Sequence, residues 1–448
     1  MTLISTQPGP GTARPYRFPQ VVRRSVKGGQ VVAAHLPGQS LAVALLLLDA
    51  GAGREPRGRE GLCAVLAKAL EEGTAQRDAT AYALAIEALG TELVTGLDWD
   101  SFQVSVQVPV DRLLAAVELM AEAVRTPRLE PDDVRRVRDD EATAQRMDWA
   151  NPGPRADAAL RADLYGVENR WGRPLYGDPD TVAGLDIEDV RVFHSEWFLR
   201  PGTLIVAGDL DRLDLDALGA AAFAGTGGGP VDRGDPIPVT PRQGRRIVLV
   251  DRPGSVQSTL RLGHPSPHRA HSDHVPMTLA GAVLGGAFTS RLNHLIREVR
   301  GYTYGIRGDF VSSRRFGRFA VSSGVQTAVT APALVEAVGE ITRTQQTGVT
   351  GEELAVARSW QAGQLSVELQ TPRAIASALT TLVVHDLPDD YYARLRESLL
   401  AAEVGEVSAA AAAHLHPESL TLVIEGDAAL IRAELAATGL GEIVTSAR

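Results

Sequence analysis

The stretch GLCAVLAKALEEGT, Gly61–Thr74, has the apolar spacing of a buried helix that runs into a Gly-Thr turn. Its middle part, CAVLAKAL at 63–70, recurs as GAVLGGAF at 281–288, with Ala, Val and Leu in the same register. The two copies lie 218 positions apart. Recurrence at a long, fixed separation indicates an internal repeat, which determines the architecture of the whole chain. The stretch therefore predicts a duplicated domain.

Two further pairs of segments recur at nearly the same separation. The Pro-Gly turn at Pro37 returns at Pro253, 216 positions later, and GTLIVAGD (202–209) returns as LTLVIEGD (420–427), 218 positions later. The segment between the halves, AGTGGGPVDRGDPIPVTPRQG, is rich in Gly, Pro and Asp, as a surface linker is. We therefore predict a flexible N-terminal arm at 1–15, a first domain at 16–223, a linker at 224–244 and a second domain at 245–448.

Length, composition and charge agree with a globular protein of two domains. The chain has 448 residues, more than a single hydrophobic core supports. Hydrophobic residues make up 44% and charged residues 22%, which is the balance of a folded globular chain. The formal net charge of −10 argues against a protein that binds nucleic acid by neutralising its phosphates. Nucleic acid is therefore not an expected partner.

No segment of the sequence predicts membrane insertion or secretion. The most apolar run, LAVALLLLDAG from Leu41, is too short to cross a membrane and follows a Pro-Gly turn, as a buried strand does. The first residues lack a basic region followed by an apolar one. The single cysteine, Cys63, excludes an internal disulfide and fits a reducing compartment. We therefore predict a cytoplasmic protein with no membrane partner.

Strand and helix patterns alternate in each half of the chain. Strand spacing is found in VVAAHL, LAVALLLL and FQVSVQVPV of the first half and in RIVLVD and STLRLGH of the second. Helical spacing is found in DRLLAAVELMAEAVRTP and APALVEAVGEITRTQQTG. The glycine-rich GTGGGP precedes prolines rather than a helix, so it is no nucleotide-binding fingerprint. The predicted fold class is α+β, with two homologous α/β sandwich-like domains.

The frame G-L-x-x-x-L-x-x-x-L-x-x-G-T of Gly61–Thr74, together with a duplicated domain of this size, resembles the pitrilysin/insulinase family of inverted zincin metallopeptidases. In that family the frame carries H-x-x-E-H. Two histidines four positions apart share one helical face and hold Zn²⁺, while the glutamate activates the bound water. The resemblance covers nearly the whole chain after about residue 15 and implies two homologous domains of the family's type.

In this chain the three positions of that motif hold Ala64, Ala67 and Lys68. Methyl groups offer no lone pair, and an ammonium group offers only donors and repels a dication. The family's third ligand, a glutamate on a later helix, is expected in or near 142–147, which contains no glutamate and is bordered by Glu141. The resemblance therefore implies a degenerate zinc helix and no cofactor in this chain. From spacing alone, the two alanines are core residues and the lysine lies at a helix edge.

The segment SRLNHLIREVRGYTYGI, 290–306, has the pattern of a helix, a Gly-containing turn and a strand. It resembles the family's C-terminal-domain signature, in which an arginine and a tyrosine seven residues later reach the active site. In this register the pair is Arg297 and Tyr304, and a shifted register would select Arg300 and Tyr302 instead. A guanidinium and a hydroxyl stabilise the negative charge that develops when water attacks a peptide carbonyl. From the sequence alone, a surface ion pair of the arginine and packing of the tyrosine in the sheet remain open.

The lost ligands and the retained pair together imply one half of an enzyme. The two-subunit branch of the family joins a zinc-bearing chain to a zinc-less chain that supplies the arginine and tyrosine in trans. We therefore expect a subunit that is inactive alone but required in a heterodimeric zinc metallopeptidase, with zinc in a homologous H-x-x-E-H partner and peptides as substrates. The alternatives are a structural or peptide-binding scaffold with no part in catalysis and a homodimeric chaperone-like chamber.

Histidines and the lone cysteine provide the remaining candidates. The segment HPSPHRAHSDH, His264–His274, holds four histidines, but their spacing matches no structural zinc pattern, so a loop is favoured over a metal site. Asn293, His294, His414 and His416 are expected at solvated ends. Cys63 lies on an apolar helix and is expected to be a small core residue rather than a nucleophile.

Overall fold

Two sheets form the framework of the fold. The computed structural model describes residues 16–238, 240 and 242–446, so the arm predicted for 1–15 lies outside the described residues. Twelve strands within the described residues form two mixed sheets of six strands each. The strands are β1 (Val21–Val26), β2 (Gly29–His35), β3 (Leu41–Leu48), β4 (Val94–Leu97), β5 (Phe102–Pro109), β6 (Gly202–Gly208), β7 (Arg246–Asp251), β8 (Gln257–Ser266), β9 (Ile306–Ser312), β10 (Gly317–Gln326), β11 (Thr421–Gly426) and β12 (Glu442–Thr445).

The two sheets repeat one topology. The strand order is β1-β2-β6-β3-β5-β4 in the first sheet and β12-β7-β11-β8-β10-β9 in the second. Five strands of each sheet have the same pairing pattern. In the first sheet the parallel pair β2–β6 is followed by three antiparallel pairs, and in the second sheet the parallel pair β7–β11 is also followed by three antiparallel pairs. The sixth strand differs, because β1 pairs antiparallel with β2 whereas β12 pairs parallel with β7. The predicted duplication and the α+β class are confirmed.

Helices cover the faces of both sheets. Fifteen α-helices lie in the described part of the chain, together with π-helical segments at His194–Phe198 and Asn293–Val299. None of the described helices is both long enough and apolar enough to span a membrane. The α-helices are α1 (Leu62–Ala69), α2 (Ala79–Glu87), α3 (Leu113–Arg125), α4 (Pro131–Trp149), α5 (Pro152–Tyr165), α6 (Pro179–Ala183), α7 (Ile187–Phe193), α8 (Leu215–Ala222), α9 (His274–Leu284), α10 (Thr330–Thr347), α11 (Gly351–Glu368), α12 (Pro372–Val384), α13 (Tyr391–Ala401), α14 (Val404–His414) and α15 (Ala428–Ala437).

The recurring Pro-Gly turn makes the same hydrogen bond in both halves. In the first half the carboxylate of Asp209, just after β6, accepts the backbone N–H of Gly38 at 3.1 Å. In the second half the carboxylate of Asp427, just after β11, accepts the N–H of Gly254 at 2.8 Å. Both glycines have positive φ angles, 75° and 78°, which glycine adopts without a steric penalty. The two recurring sequence segments therefore bind each other in each domain.

Each sheet is covered on one face by helices of its own half and on the other by a helix from the opposite half. Helix α5 precedes the linker in sequence, yet its Ala156 and Leu160 pack against Val248, Val250 and Val423 of the second sheet. Strands with continuous apolar runs need cover on both faces, and the exchanged helix provides it.

Helix α12 makes the reciprocal contact. Its Ile375 and Leu379 pack against Val32, Val43 and Ile205 of the first sheet, although α12 follows the linker in sequence. The first residues of α5 and α12 lie 220 positions apart, close to the repeat distance. The two halves therefore exchange equivalent helices.

The linker runs between the halves without a helix or strand in its described residues. Its Arg233 lies 3.1 Å from the carboxylate of Asp49 in the first half and 2.7 Å from that of Asp386 in the second. The linker is thus bound to both halves by one guanidinium group.

The second copy of the opening stretch is only half helical, a difference that the repeat did not predict. Helix α9 ends at Leu284, and Gly285 forms a β-bridge with Gly308. A Cβ atom on Gly285 would lie 2.6 Å from the backbone nitrogen of Gly308, so only glycine allows this approach. The equivalent position of α1 is Ala67, where the helix continues. Residues 285–288 instead line a surface cavity.

Candidate functional site

Helix α1, which carries the three motif positions, is packed as a core element. Ala64 and Ala67 are only 6% and 7% exposed, whereas Lys68 is exposed. Cys63 is fully buried, and burial raises the pKa of its thiol well above the usual value. The cysteine is therefore an unreactive core residue, as expected from the sequence. The two alanines are core residues as well, as their spacing alone predicted.

A buried ion pair holds the start of α1. The carboxylate of Glu55 accepts the backbone N–H of Cys63 at 2.8 Å and that of Gly61 at 3.2 Å, which are N–H groups of the helix N-terminus. Arg170 donates to the same carboxylate from Nε at 3.2 Å. Burial raises the pKa of Glu55, and the charge of Arg170 acts in the opposite direction. The position of α1 therefore depends on a paired charge inside the protein.

The segment in which a third zinc ligand was expected lies on helix α4, which packs against α1. Within 142–147 the buried residues are Ala142 and Gln145, and the other four are exposed. The side-chain amide of Gln145 donates to Glu141 at 2.8 Å. The methyl group of Ala64 and the ammonium group of Lys68 cannot replace two imidazoles, and the neutral amide of Gln145 cannot replace a carboxylate ligand. The family's zinc therefore does not fit the residues of α1 and α4.

The second candidate segment folds as the sequence predicted, with one refinement. Residues 290–306 contain a helical part, a turn and the start of strand β9, but the helical part is a π-helix at Asn293–Val299. A π-helix adds a residue to each turn, so it changes which side chains share a face. Arg297 lies in this π-helix, and Tyr304 lies in the turn before β9.

Arg297 and Tyr304 line the same cavity, which has a volume of about 620 Å³. The guanidinium carbon of Arg297 lies 4.4 Å from the centroid of the Phe288 ring, and its Nε lies 3.5 Å from the carboxylate of Glu298. Tyr304 is 99% exposed and Phe288 is 72% exposed. The first residues of the exchanged helix α5 contribute to the cavity through Gly153. The pair therefore faces an open site rather than the interior of the second domain.

Hydrogen bonds fix the turn that presents Tyr304. The side-chain oxygen of Asn293 accepts the backbone N–H of Ile306 at 3.3 Å, and its amide donates to Ser290 at 3.2 Å. The hydroxyl of Thr303 donates to the carbonyl of Gly324 at 2.7 Å. Tyr304 is thus exposed on a backbone that is held on both sides.

The two neighbouring alternatives have other environments. Arg300 forms an ion pair with Glu336 on helix α10. Tyr302 is half-buried and packs against the core of the second domain. Neither residue lines the cavity that contains Arg297 and Tyr304. Of these four residues, Arg297 and Tyr304 share the cavity and Arg300 and Tyr302 do not.

Histidines that are far apart in sequence meet beside the loop between β8 and α9. His271 and Asp273 lie in this loop, and His414 is the last residue of α14. Nε2 of His414 donates to the carboxylate of Asp273 at 2.7 Å, and this bond lowers the pKa of Asp273. The side chain of His414 is only 13% exposed and Asn293 is 9% exposed, so the expectation of a solvated end is wrong for both. Sequence spacing could not have shown this cluster, because His414 lies 141 residues from Asp273.

His264, the first histidine of the loop segment, is a core residue. It is 0% exposed, and its Nδ1 donates to the carbonyl of Pro265 at 2.9 Å while its Nε2 accepts the N–H of His416 at 3.1 Å. Both ring nitrogens are therefore satisfied, and burial lowers the pKa of His264 to about 3.

His385, which follows helix α12, is expected to make stability depend on pH. Burial, with the positive charge of Arg269 as a second cause, lowers the pKa of His385 from 6.5 to about 3. Below about pH 6.5 the unfolded chain binds a proton at this residue and the folded protein does not. The contribution of His385 to the free energy of unfolding is therefore fully present above pH 6.5 and is lost as the pH falls toward 3. At pH 5 the loss amounts to about 2 kcal/mol.

The substitution His385→Phe should remove this contribution. Urea unfolding at pH 7 and pH 5 should show that the variant loses about 2 kcal/mol less than the natural protein between the two conditions. Equal losses in the two proteins would contradict the assignment.

Two family models match the chain. The model described as insulinase (peptidase family M16) matches residues 30–178, and the model described as the peptidase M16 inactive domain matches residues 184–359. An uncharacterized zinc protease from Streptomyces coelicolor is 26% identical over 392 residues, which cover 84% of this chain and 82% of that protein. An uncharacterized zinc protease from Mycobacterium tuberculosis is 29% identical over 296 residues, which cover 63% of this chain and 65% of that protein.

Solved structures are similar over most of the chain. A peptidase M16 inactive domain from Pseudomonas fluorescens has a TM-score of 0.82 and 24% sequence identity, and the match covers 91% of this chain and 98% of that one. A protease from Helicobacter pylori also has a TM-score of 0.82, with 18% identity over 92% of this chain and 100% of that one. At these identities the similarity concerns the fold.

Proposed function

The chain belongs to the insulinase family of M16 peptidases, and from that premise we propose that it is the zinc-less subunit of a heterodimeric zinc metallopeptidase. It would supply Arg297 and Tyr304 to the zinc site of a homologous partner that carries H-x-x-E-H. The observation that carries the proposal is an Arg–Tyr pair in one open cavity of a chain whose three motif positions hold no metal ligand. The segment that matches the inactive domain, 184–359, includes both residues.

The two side chains suit the stabilisation of an oxyanion. When water attacks a peptide carbonyl, negative charge develops on its oxygen, and donors directed at that point lower the barrier. Tyr304 offers a hydroxyl donor that a second chain can reach, and Arg297 offers a charged group with several N–H donors. In this role neither residue transfers a proton. Both must approach the carbonyl oxygen that the partner's zinc polarises.

Extended peptides are the substrates that this surface would accept. Strand β9 lies at the edge of the second sheet and begins at Ile306, two residues after Tyr304. The N–H groups of Ile306 and Gly308 are already bonded to Asn293 and Gly285, so a peptide would add as a further strand to the part of β9 that follows Gly308.

The alternative is a structural or peptide-binding scaffold with no part in catalysis. A scaffold would bind peptides at the same edge strand but would gain nothing from an exposed tyrosine beside an arginine. A scaffold and the proposed subunit would therefore both bind peptides, but only the proposed subunit would take part in their hydrolysis.

Reconstitution tests the proposal. The purified chain is expected to cleave no peptide, and addition of a homologous H-x-x-E-H partner should produce activity that reaches its maximum at equal amounts of the two chains. A partner in which the motif glutamate is replaced by glutamine serves as the control and should stay inactive. Cleavage by this chain alone, or a partner whose activity is unchanged by this chain, would contradict the proposed role.

A further inference from the structure

We propose that His271, Asp273 and His414 bind a divalent transition metal ion that fastens the β8–α9 loop to the end of helix α14. The site is distinct from the motif helix α1, and it revises the expectation that the segment His264–His274 holds no metal, because His414 supplies a ligand that the spacing within this segment does not show. The proposal does not depend on the proposed peptidase function.

The donor set suits a transition metal. Imidazole nitrogens favour zinc, copper, nickel and iron, and one carboxylate adds a negative charge against the charge of a dication. Three protein ligands from two imidazoles and one carboxylate are a common arrangement for Zn²⁺, with a fourth position left for water or another ligand. His271, Asp273 and His414 are that combination.

The distances allow binding after small movements. The possible ligand atoms of the three side chains lie within 4.8 Å of one another. Nε2 of His414 and the carboxylate oxygen of Asp273 are 2.7 Å apart because a proton lies between them. Ligand atoms about 2.0–2.1 Å from a tetrahedral zinc lie roughly 3.3 Å apart, so a metal can take the place of this proton when the pair separates by about 0.6 Å.

Rearrangement of the imidazole protons has a limited cost. The His414 proton moves from Nε2 to Nδ1, and the ring stays neutral. Nδ1 of His271 accepts the backbone N–H of Asp273 at 3.1 Å, and this bond is lost if the metal takes that nitrogen. One such bond contributes about 1 kcal/mol to stability, far less than a structural zinc site provides.

A nearby unpartnered nitrogen is the second observation. Nδ1 of His268 is buried and has no hydrogen-bond partner within the described part of the chain. The His268 ring centroid lies 6.4 Å from that of His271, on the same loop. A buried polar atom without a partner costs free energy. His268 lies outside the group of atoms within 4.8 Å of one another, so it would become a fourth ligand only if the loop moved its ring toward the other three. Ser272 donates to the other oxygen of Asp273 at 3.3 Å and so orients the carboxylate, as second-shell groups do in metal sites.

A second cluster of the described residues, His35, Asp209 and Asp211, is a weaker candidate. It contains one histidine instead of two, and the side chain of Asp211 is 88% exposed. The carboxylate of Asp209 already holds the Pro-Gly turn through Gly38. This cluster therefore provides the control.

Zinc titration of the full chain, free of tag and treated with chelator, tests the proposal. We expect one Zn²⁺ per chain by calorimetry and a Tm that rises by about 3 °C or more at saturating zinc. Asp273→Asn and His414→Gln should each weaken binding at least about tenfold and reduce the Tm shift. Asp211→Asn, in the other cluster, should bind zinc as the natural protein does.

The outcomes separate clearly. Loss of binding in Asp273→Asn and His414→Gln, with normal binding in Asp211→Asn, would support the site. Absence of stoichiometric binding would overturn it, and so would binding that both Asp273→Asn and His414→Gln retain. Neither variant replaces a buried apolar side chain, and circular dichroism of the metal-free proteins would identify one that failed to fold.

Discussion

Replacement of Tyr304 by phenylalanine is expected to lower the turnover of the reconstituted peptidase by about 10²–10³-fold, the usual effect of deleting one oxyanion donor. The hydroxyl is the only group removed, and Tyr304 is 99% exposed, so the fold should not change. Because the hydroxyl acts on charge that develops during the reaction, the loss should appear in kcat, with little change in KM. Steady-state kinetics with equal amounts of the two chains measures both constants.

The two neighbouring alternatives provide matched controls. Tyr302→Phe removes the same hydroxyl two positions away, from a half-buried side chain that does not line the cavity, and should leave turnover unchanged. Arg297→Gln should reduce turnover strongly, whereas Arg300→Gln should break only an ion pair with Glu336. Full activity in Tyr304→Phe, or equal losses in both tyrosine variants, would refute the assigned role.

Replacement of Arg170 by alanine is expected to lower the free energy of unfolding by about 3–5 kcal/mol, because it leaves the carboxylate of Glu55 buried without its partner. Arg170 is 7% exposed, and besides Glu55 it donates to the carbonyls of Pro174 and Leu175 at 2.9 Å and 3.0 Å. Its guanidinium carbon also lies 5.0 Å from the centroid of the Trp99 ring. Urea unfolding of the natural and variant proteins measures the difference.

An exposed ion pair and a double variant serve as controls for the loss of stability in Arg170→Ala. Arg57→Ala breaks an ion pair with Glu168, whose side chain is 72% exposed, and should cost at most about 1 kcal/mol. The double variant Glu55→Gln, Arg170→Met removes both charges and should be more stable than Arg170→Ala alone. If Arg170→Ala costs no more than Arg57→Ala, the buried pair does not hold the start of α1.

The duplication and the alternation of strands and helices could be predicted because they are local properties of the sequence. Letters that recur at one separation identify the repeat, and apolar periodicity identifies most elements. The exchange of α5 and α12 could not be predicted, because periodicity shows that a helix has an apolar face but not which sheet that face covers. The early end of α9 also escaped prediction, because it depends on the approach of Gly285 to Gly308.

The candidate site was predictable where a resemblance to known sequences existed. The register that selected Arg297 and Tyr304 came from such a resemblance, whereas their shared cavity depends on the turn that Asn293 and Thr303 fix. The meeting of His414 with Asp273 left no sign in the sequence, since 141 residues separate them. Contacts between distant residues depend on the tertiary fold, which a single sequence does not display.

The reciprocal exchange of helices has a consequence for synthesis of the chain. A ribosome releases the strands of the first sheet, which end at Gly208, long before it releases Pro372–Val384. Until then Val32, Val43 and Ile205 have no helix over them, so the nascent first domain exposes an apolar sheet face to the cell. Because α12 completes the first domain and α5 completes the second, neither half can reach its final packing before most of the other has been made.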